Sequence, residues 1–193
     1  MKRLTILFIA IFIGLATGAN ADVSFVQKVT AGNLFQTLDG DQVKLIGVDI
    51  PDLKPGASLS DNQRISDNKQ QALAYMRSLI SGANVEIRVD AKERDEQGRL
   101  LAYVWFLYPK DNYMDALEFK DDYEVNHIVD NREYGHIVFL NAAMIKAGYA
   151  VPQRDEFNHT FAALFNSIYQ ERNIRAVQNP KEMPPVELRA SLK

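Results

Sequence analysis

The stretch Val43–Asp52, which reads VKLIGVDIPD, is an apolar run that a proline brings to an end. A second apolar-rich run, Phe25–Leu38, precedes it, and the dipeptide Asp39-Gly40 separates the two. This dipeptide readily adopts the positive φ angles of a tight hairpin turn. The two runs therefore predict a β-hairpin, and the polar residues that follow, up to about Ser66, predict an exposed loop.

Periodicity further along the chain predicts three helices and a second hairpin. Asp67–Ser81 has its apolar residues on one helical face. Val85–Val89 and Leu101–Phe106 alternate apolar and other residues around a turn, which is typical of paired strands. A short helix is predicted over Phe139–Ala147. A longer one follows, with one face formed by Phe157, Phe161, Leu164, Phe165 and Ile168. Because strands and helices are segregated along the chain, the fold class is α+β.

The N-terminal segment is typical of an export signal. Two basic residues precede the apolar run Leu4–Ala16, and the small-x-small site Ala19-Asn20-Ala21 follows it. We predict a cleaved signal peptide over residues 1–21, a periplasmic or secreted location, and no membrane association after cleavage. A permanent anchor is the alternative, but the apolar run is shorter than the roughly 20 residues needed to cross a bilayer.

The charge of the mature chain does not favour a nonspecific nucleic-acid binder. The whole chain has 22 Lys and Arg against 25 Asp and Glu. The signal segment contains two of the bases and none of the acids, so the mature balance is 20 against 25, a net charge of −5. Such binders usually carry a basic surface. The chain has no cysteine, so its stability must come from core packing rather than disulfides.

The remaining chain divides into one domain, residues 22–178, and a loose tail, residues 179–193, that contains several prolines. Within the domain, residues 108–134 lose periodicity and gain acidic residues, which predicts an inserted acidic loop. This insert is interpreted as a flexible face or as the binding site of a protein partner. The protein itself is expected to be a monomer.

Three motifs resemble those of the thermonuclease family. Val43–Asp52 is similar to the family's V-R-L-x-G-[IV]-D-[TA]-P-E, and Gly98–Val104, which reads GRLLAYV, is similar to its G-R-x-L-A-Y-[IV]. Ala147–Ala150 matches the family's small-G-[LY]-A at the end of the second helix. The resemblance spans Phe25–Ala176. It implies a five-stranded β-barrel of the oligonucleotide-binding (OB) type, flanked by three helices.

The resemblance also implies a nuclease site that acts on DNA or RNA. In the family, two aspartates and a backbone carbonyl hold calcium against the scissile phosphate, two arginines neutralise charge, and a glutamate activates water. Hard cations prefer oxygen ligands, and guanidinium groups match phosphate oxygens. By correspondence, Asp49 is the second metal aspartate, Ile50 supplies the carbonyl and Arg99 is the second arginine. Asp49 and Arg99 also have purely structural interpretations, as a strand end and as a solvated turn residue.

Three other positions depart from the family pattern. Asn33 replaces the first metal aspartate, Lys44 replaces the first arginine, and Asp52 replaces the glutamate. Asparagine removes a charge from the metal site, lysine lacks a bidentate fork, and aspartate is one methylene shorter. Asp39-Gly40-Asp41 is interpreted as the hairpin turn and not as the metal motif. Any calcium ion is therefore expected to bind weakly or not at all.

Two functions remain open. One is a nucleic-acid or phosphodiester-binding domain whose calcium-dependent nuclease activity is weak or lost. The alternative is an active metal-dependent nuclease that uses Asp49, Asp52, Lys44 and Arg99. The base-stacking tyrosines of the family have no clear counterparts here, which weakens the substrate-binding argument. Both hypotheses require the candidate residues to converge on one pocket of the barrel.

Overall fold

The computed structural model describes residues 21–52, 58–109, 129–132 and 135–178. The predicted signal peptide up to residue 20, residues 110–128 of the predicted insert, and the tail lie outside the described residues. The strands of the described part are β1 (Ala21–Ala31), β2 (Leu34–Thr37), β3 (Gln42–Leu45), β4 (Val48–Asp49), β5 (Asn84–Arg88), β6 (Leu100–Pro109), β7 (Val129–Arg132), β8 (Gly135–Phe139) and β9 (Val151–Pro152). The helices are α1 (Leu59–Ile80), α2 (Leu140–Lys146) and α3 (Ala162–Gln178).

Strands β1, β2, β3, β6 and β5 form a closed barrel. Neighbouring strands are antiparallel except β3 and β6, whose parallel pairing closes the sheet. Beyond the barrel, β6 continues into an antiparallel pairing with β8, and β8 pairs with β7. The predicted α+β, OB-type barrel with three helices is therefore confirmed. The flanks of the predicted insert are strands, since β6 runs to Pro109 and β7 begins at Val129.

The first hairpin contains one more reversal than predicted. Asp39-Gly40 forms the expected turn: the Thr37 amide donates to the Asp41 carbonyl at 2.9 Å, and Gly40 has φ +94°. The run Phe25–Leu38, however, is not a single strand, because the chain reverses at Gly32-Asn33 between β1 and β2. Apolar residues continue on both sides of this reversal, so the pattern alone did not reveal it.

Helix α1 begins at Leu59 and not near Asp67, so the predicted exposed loop is wrong for residues 59–66. The early turns are stabilised locally. The Asn62 amide donates to the Ser58 carbonyl at 3.0 Å, and the Gln63 side chain donates to Asp67 at 2.8 Å. These turns present almost no apolar residues, so they carried no helical periodicity.

Helix α3 begins later than the apolar pattern predicted. It starts at Ala162, so Phe157 lies outside the helix and is 53% exposed. The side chain of Asp155 accepts hydrogen bonds from the amides of Phe157 and Asn158, at 2.9 and 2.8 Å. Such local side-chain bonds compete with helix formation. The predicted core residues further along the helix, Phe165 and Ile168, are buried.

The core fills the barrel and the space between the barrel and the helices. Tyr103 and Phe106 on β6 are buried in the core, so they are not available as a base-stacking platform. Trp105 lies on the same face of β6 as Tyr103 and stacks on Phe139 with a centroid distance of 4.5 Å. None of the helices in the described ranges is long and apolar enough to cross a membrane.

One fully buried polar side chain, Asn141 on α2, joins two parts of the barrel. Its Oδ1 accepts from the Val104 amide at 3.0 Å, and its Nδ2 donates to the carbonyls of Ile46 and Ala102 at 2.9 and 3.2 Å. These bonds tie β6 to the residue that follows β3. A buried amide with all its partners satisfied specifies one arrangement of the strands around it.

Candidate functional site

Three candidate residues, Asn33, Lys44 and Asp49, lie close together. Asn33 is in the turn between β1 and β2, and its carbonyl accepts from the Leu45 amide at 3.0 Å. Its side-chain Nδ2 donates to the Val48 carbonyl at 3.3 Å. Asn33 therefore contacts the backbone immediately after Lys44 and immediately before Asp49. Lys44 and Asp49 are both half-buried.

The turn between β3 and β4 sets the position of Asp49. Gly47 in this turn has φ +70°, and a Cβ atom there would lie 2.6 Å from the ring of Phe165. Only glycine combines this backbone with such a close approach. The Gly47 carbonyl accepts from the Gln153 amide at 3.0 Å, and Asp49 pairs with Val151 of β9. Asp49 is thus fixed by the α3 packing on one side and by β9 on the other.

Arg99 lies at the start of the barrel strand next to Lys44. Lys44 pairs with Leu101 across the parallel β3–β6 contact, and Arg99 is two residues before Leu101. From the strand rise and the strand spacing, the Cα atoms of Lys44 and Arg99 are roughly 8 Å apart. The structure therefore places Arg99 at the edge of the barrel next to Lys44. Asp49 is related to Lys44 through Asn33, which contacts the backbone beside both residues.

The Arg99 guanidinium is held by its own turn. Its Nε and Nη2 donate to Oδ2 of Asp95 at 2.7 and 2.6 Å, and Nη2 also donates to Oε1 of Gln97 at 2.9 Å. The Arg99 amide donates to Oδ1 of Asp95 at 3.0 Å. Burial would raise the pKa of Asp95, but the hydrogen bonds and the charge of Arg99 outweigh it and the pKa is lowered. Nη1 of Arg99 makes no hydrogen bond to any residue that the structure describes.

Asp52 points toward α1. Its side chain is 81% exposed, and Oδ1 forms an ion pair with Nζ of Lys69 at 2.5 Å. One contact of Asp52 is thus with α1, whereas the contacts of Asn33 join β3 and β4.

The donor set does not fit a tightly bound calcium ion. It comprises the Asp49 carboxylate, the Ile50 carbonyl and one amide oxygen of Asn33, whose nitrogen already donates to Val48. Calcium usually takes six to eight oxygen ligands, and its affinity rises with the number of charged ones. Within the described ranges, no group of three or more His, Asp or Glu side chains is positioned to hold a metal. The Asp39-Gly40-Asp41 turn offers no substitute, because Asp41 is paired with Arg94 at 2.9 Å.

The closed barrel and its three helices define an α+β domain with a barrel of the OB type. The family model described as staphylococcal nuclease homologue matches residues 42–173. The chain belongs to this family. No curated protein shows significant similarity to it.

The sequence interpretation missed the partners of the candidate residues. Asp95 and Gln97 hold Arg99, and Lys69 draws Asp52 toward α1. The spacing of an acid four residues before an arginine, across a turn with a glycine, is a local signal for the first of these pairs. No local sequence signal predicts the contact of Lys69 with Asp52, because helix packing brings Lys69 to Asp52 from a distant part of the chain.

The loop that leads to Arg99 is anchored through Asp90, and this predicts a dependence of stability on pH. Oδ2 of Asp90 accepts from the Tyr103 hydroxyl at 3.0 Å and from the Thr160 amide and hydroxyl at 3.2 and 2.9 Å. Burial would raise the pKa of Asp90, but these hydrogen bonds outweigh it and the pKa is lowered. Its stabilising effect is therefore present above the unfolded-state pKa of about 3.9 and is lost as the pH falls through the folded-state pKa.

We expect Asp90→Asn to lower stability at pH 7 and to flatten the loss of stability between about pH 5 and pH 2. Urea unfolding across this range measures both effects. Asp39→Asn is the control, since Asp39 is exposed in a turn and surface changes usually stay within about 0.5 kcal/mol. Parallel pH profiles for wild type and Asp90→Asn would contradict the prediction.

Proposed function

We propose that this domain binds single-stranded nucleic acid or related phosphodiesters outside the cytoplasm, and that its calcium-dependent nuclease activity is weak or lost. The observation that carries the proposal is the isolation of Asp49 as the single carboxylate of the candidate metal group. Asn33 brings no charge there, and Asp52 is paired with Lys69. Cation recognition of phosphate is retained, whereas the groups needed for hydrolysis are not.

Two cations support phosphate binding. Lys44 is half-buried on β3, and Arg99 lies beside it with an Nη1 group that donates to no residue in the described part of the chain. Asp95 orients the guanidinium, so little side-chain entropy is lost when a phosphate binds. This geometry suits a few phosphate contacts on a domain whose overall charge is negative.

The same geometry opposes efficient hydrolysis. Lysine offers a single ammonium group, whereas the arginine of the family can form a bidentate contact with phosphate oxygens. Lys44 therefore stabilises the transition state less well. The Nε edge of Arg99, which would form a bidentate contact with phosphate, is occupied by Asp95. An active metal-dependent nuclease remains the second candidate, and the observation that favours it is the rigid placement of Asp49 and Arg99.

Binding and cleavage can be measured separately on the mature chain, residues 22–193. Fluorescence anisotropy with labelled single-stranded DNA and RNA reports binding, and gel electrophoresis reports cleavage, each with calcium and with chelator. We expect salt-sensitive binding that chelator does not change, and no chelator-sensitive cleavage. Arg99→Ala should weaken binding evenly across sequences and reduce the slope of log K against log salt by about 1.

Lys28→Ala is the matched control, because Lys28 is an exposed cation on β1 outside the candidate group. This variant should leave the affinity close to that of the wild type. Absence of binding to both nucleic acids would overturn the proposal. Chelator-sensitive cleavage that Arg99→Ala abolishes would establish the nuclease alternative instead.

A further inference from the structure

Phe157 is a large aromatic side chain that is exposed and yet held in place. It lies between β9 and α3, and 53% of its surface is open to solvent. Its backbone amide donates to Asp155 at 2.9 Å, and the next residue, Asn158, is almost completely buried. An exposed ring on a fixed backbone loses little entropy when a flat ligand covers it.

Asn158 ties this segment to the loop that ends in Arg99. Its Oδ1 accepts from the Lys92 amide at 2.8 Å, and its Nδ2 donates to the Lys92 carbonyl at 2.9 Å. Thr160 adds two bonds to Asp90 in the same loop. These bonds join the two loops, and Phe157 stands at their junction.

The same contacts place a cation beside the ring. Nζ of Lys92 lies 5.6 Å from the centroid of Phe157. An exposed aromatic ring next to a lysine is the combination that binds single strands, because the ring stacks on a base and the amine meets the backbone phosphate. The segment also connects directly to the candidate site, since Val151 pairs with Asp49 and Gln153 bonds to Gly47.

We propose that Phe157, assisted by Lys92, is a stacking platform for one base of a bound single-stranded nucleic acid. The inference rests on the proposed function, because it assigns the base contact of the same ligand whose phosphates meet Lys44 and Arg99. It requires no metal and no particular base, since every base has a π-face. It also supplies an aromatic contact that the sequence motifs did not reveal.

The test uses the mature chain and a labelled oligothymidylate, with affinities measured by fluorescence anisotropy. Stacking on one aromatic ring corresponds to about a 5- to 150-fold change in Kd. Phe157→Ala should weaken binding within this range, and Phe157→Tyr should restore it. Leu38→Ala is the matched control, because Leu38 is a 62% exposed apolar residue in the β2–β3 turn. The affinity of Leu38→Ala for the oligothymidylate should equal that of the wild type.

A second readout detects stacking directly. Phe157→Trp introduces an indole whose emission should be quenched by the oligothymidylate but not by an abasic oligomer of equal length. The single native tryptophan, Trp105, is half-buried, and its signal is subtracted using the wild-type chain. Thermal unfolding verifies that each variant is folded.

The outcomes distinguish this inference from the proposed function. Suppose that the wild type and Phe157→Ala bind the oligothymidylate equally well and that the emission of Phe157→Trp is not quenched. The stacking platform is then ruled out, while the proposed function stands. If the wild type does not bind either probe, the proposed function fails and the platform fails with it.

Discussion

The triple substitution Asn33→Asp, Lys44→Arg and Asp52→Glu will give the chain calcium-dependent cleavage of single-stranded DNA, at least about 100-fold faster than the wild type. It restores a second carboxylate beside Asp49, a bidentate arginine next to Arg99, and a carboxylate that is one methylene longer. The expected gain is large because these groups act as a unit, and restoring one of them alone recovers little.

Calcium binding by this variant will be visible without any activity. At the position predicted for the first metal aspartate, the Asn33 amide donates to the Val48 carbonyl. Asn33→Asp will therefore place two carboxylates close together and destabilise the metal-free protein. Calcium should then raise its melting temperature. A ligand at 100 times its Kd adds about 2.7 kcal/mol, which corresponds to several degrees for a domain of this size.

The double variant Lys44→Arg, Asp52→Glu is the matched control, since it leaves Asn33 in place and should show no calcium-induced shift. Adding Arg99→Ala to the triple variant should abolish cleavage and retain the shift. A wild type that already cleaves at the rate of the triple variant, with the same chelator sensitivity, would show that the three natural residues are not defects.

Replacing Asn141 with leucine will destabilise the fold by about 3–5 kcal/mol, since it leaves the buried Val104 amide and Ile46 carbonyl without a partner and removes one of the two hydrogen bonds to the Ala102 carbonyl. The affected groups belong to Val104, Ile46 and Ala102, which lie on both sides of the parallel β3–β6 closure. Leucine keeps the branching of the asparagine side chain, but its two methyl groups are larger than the amide atoms, so overpacking of this fully buried position adds to the loss of hydrogen bonds. The melting temperature should fall by about 10 °C or more.

Thermal and urea unfolding monitored by circular dichroism measure this change. Asn166→Leu is the matched control, because Asn166 is exposed on α3 and its side chain bonds only to the carbonyl of Ala162 in the same helix among the described contacts. Its effect should stay within about 0.5 kcal/mol. A loss below about 1 kcal/mol for Asn141→Leu would mean that water or relaxation of the strands satisfies these groups.

The sequence predicted the strand segments of the barrel because their signals are local, although it joined β1 and β2 and did not predict β7, β8 or β9. The closed barrel itself was predicted from the resemblance to the thermonuclease family. Alternation identified β5 and β6, and Asp39-Gly40 identified the turn before β3. The start of α1 was missed because its first two turns contain too few apolar residues to show a helical period. The start of α3 was predicted too early because Asp155 accepts hydrogen bonds from the amides of Phe157 and Asn158, which keeps this part of the apolar pattern out of the helix. In both cases hydrogen bonding overrode periodicity.

The candidate site was likewise predictable from the sequence only in part. Motif spacing led to Asn33, Lys44, Asp49 and Arg99, and the register of β3 with β6 and the contact of Asn33 with Val48 show how the backbone relates them. Two contacts were not predictable: the ion pair of Asp52 with Lys69 and the hydrogen bonds of buried Asn158 with Lys92. Each joins residues from distant segments of the chain.

By itself, the sequence determined the fold class and the family, since these depend on residue type, order and spacing. Only the tertiary structure decided which charges are paired, which polar groups are buried and which aromatic ring is exposed. Those properties arise when helices and loops pack on the barrel, because Coulomb interactions and desolvation depend on distances in space and not on separation along the chain.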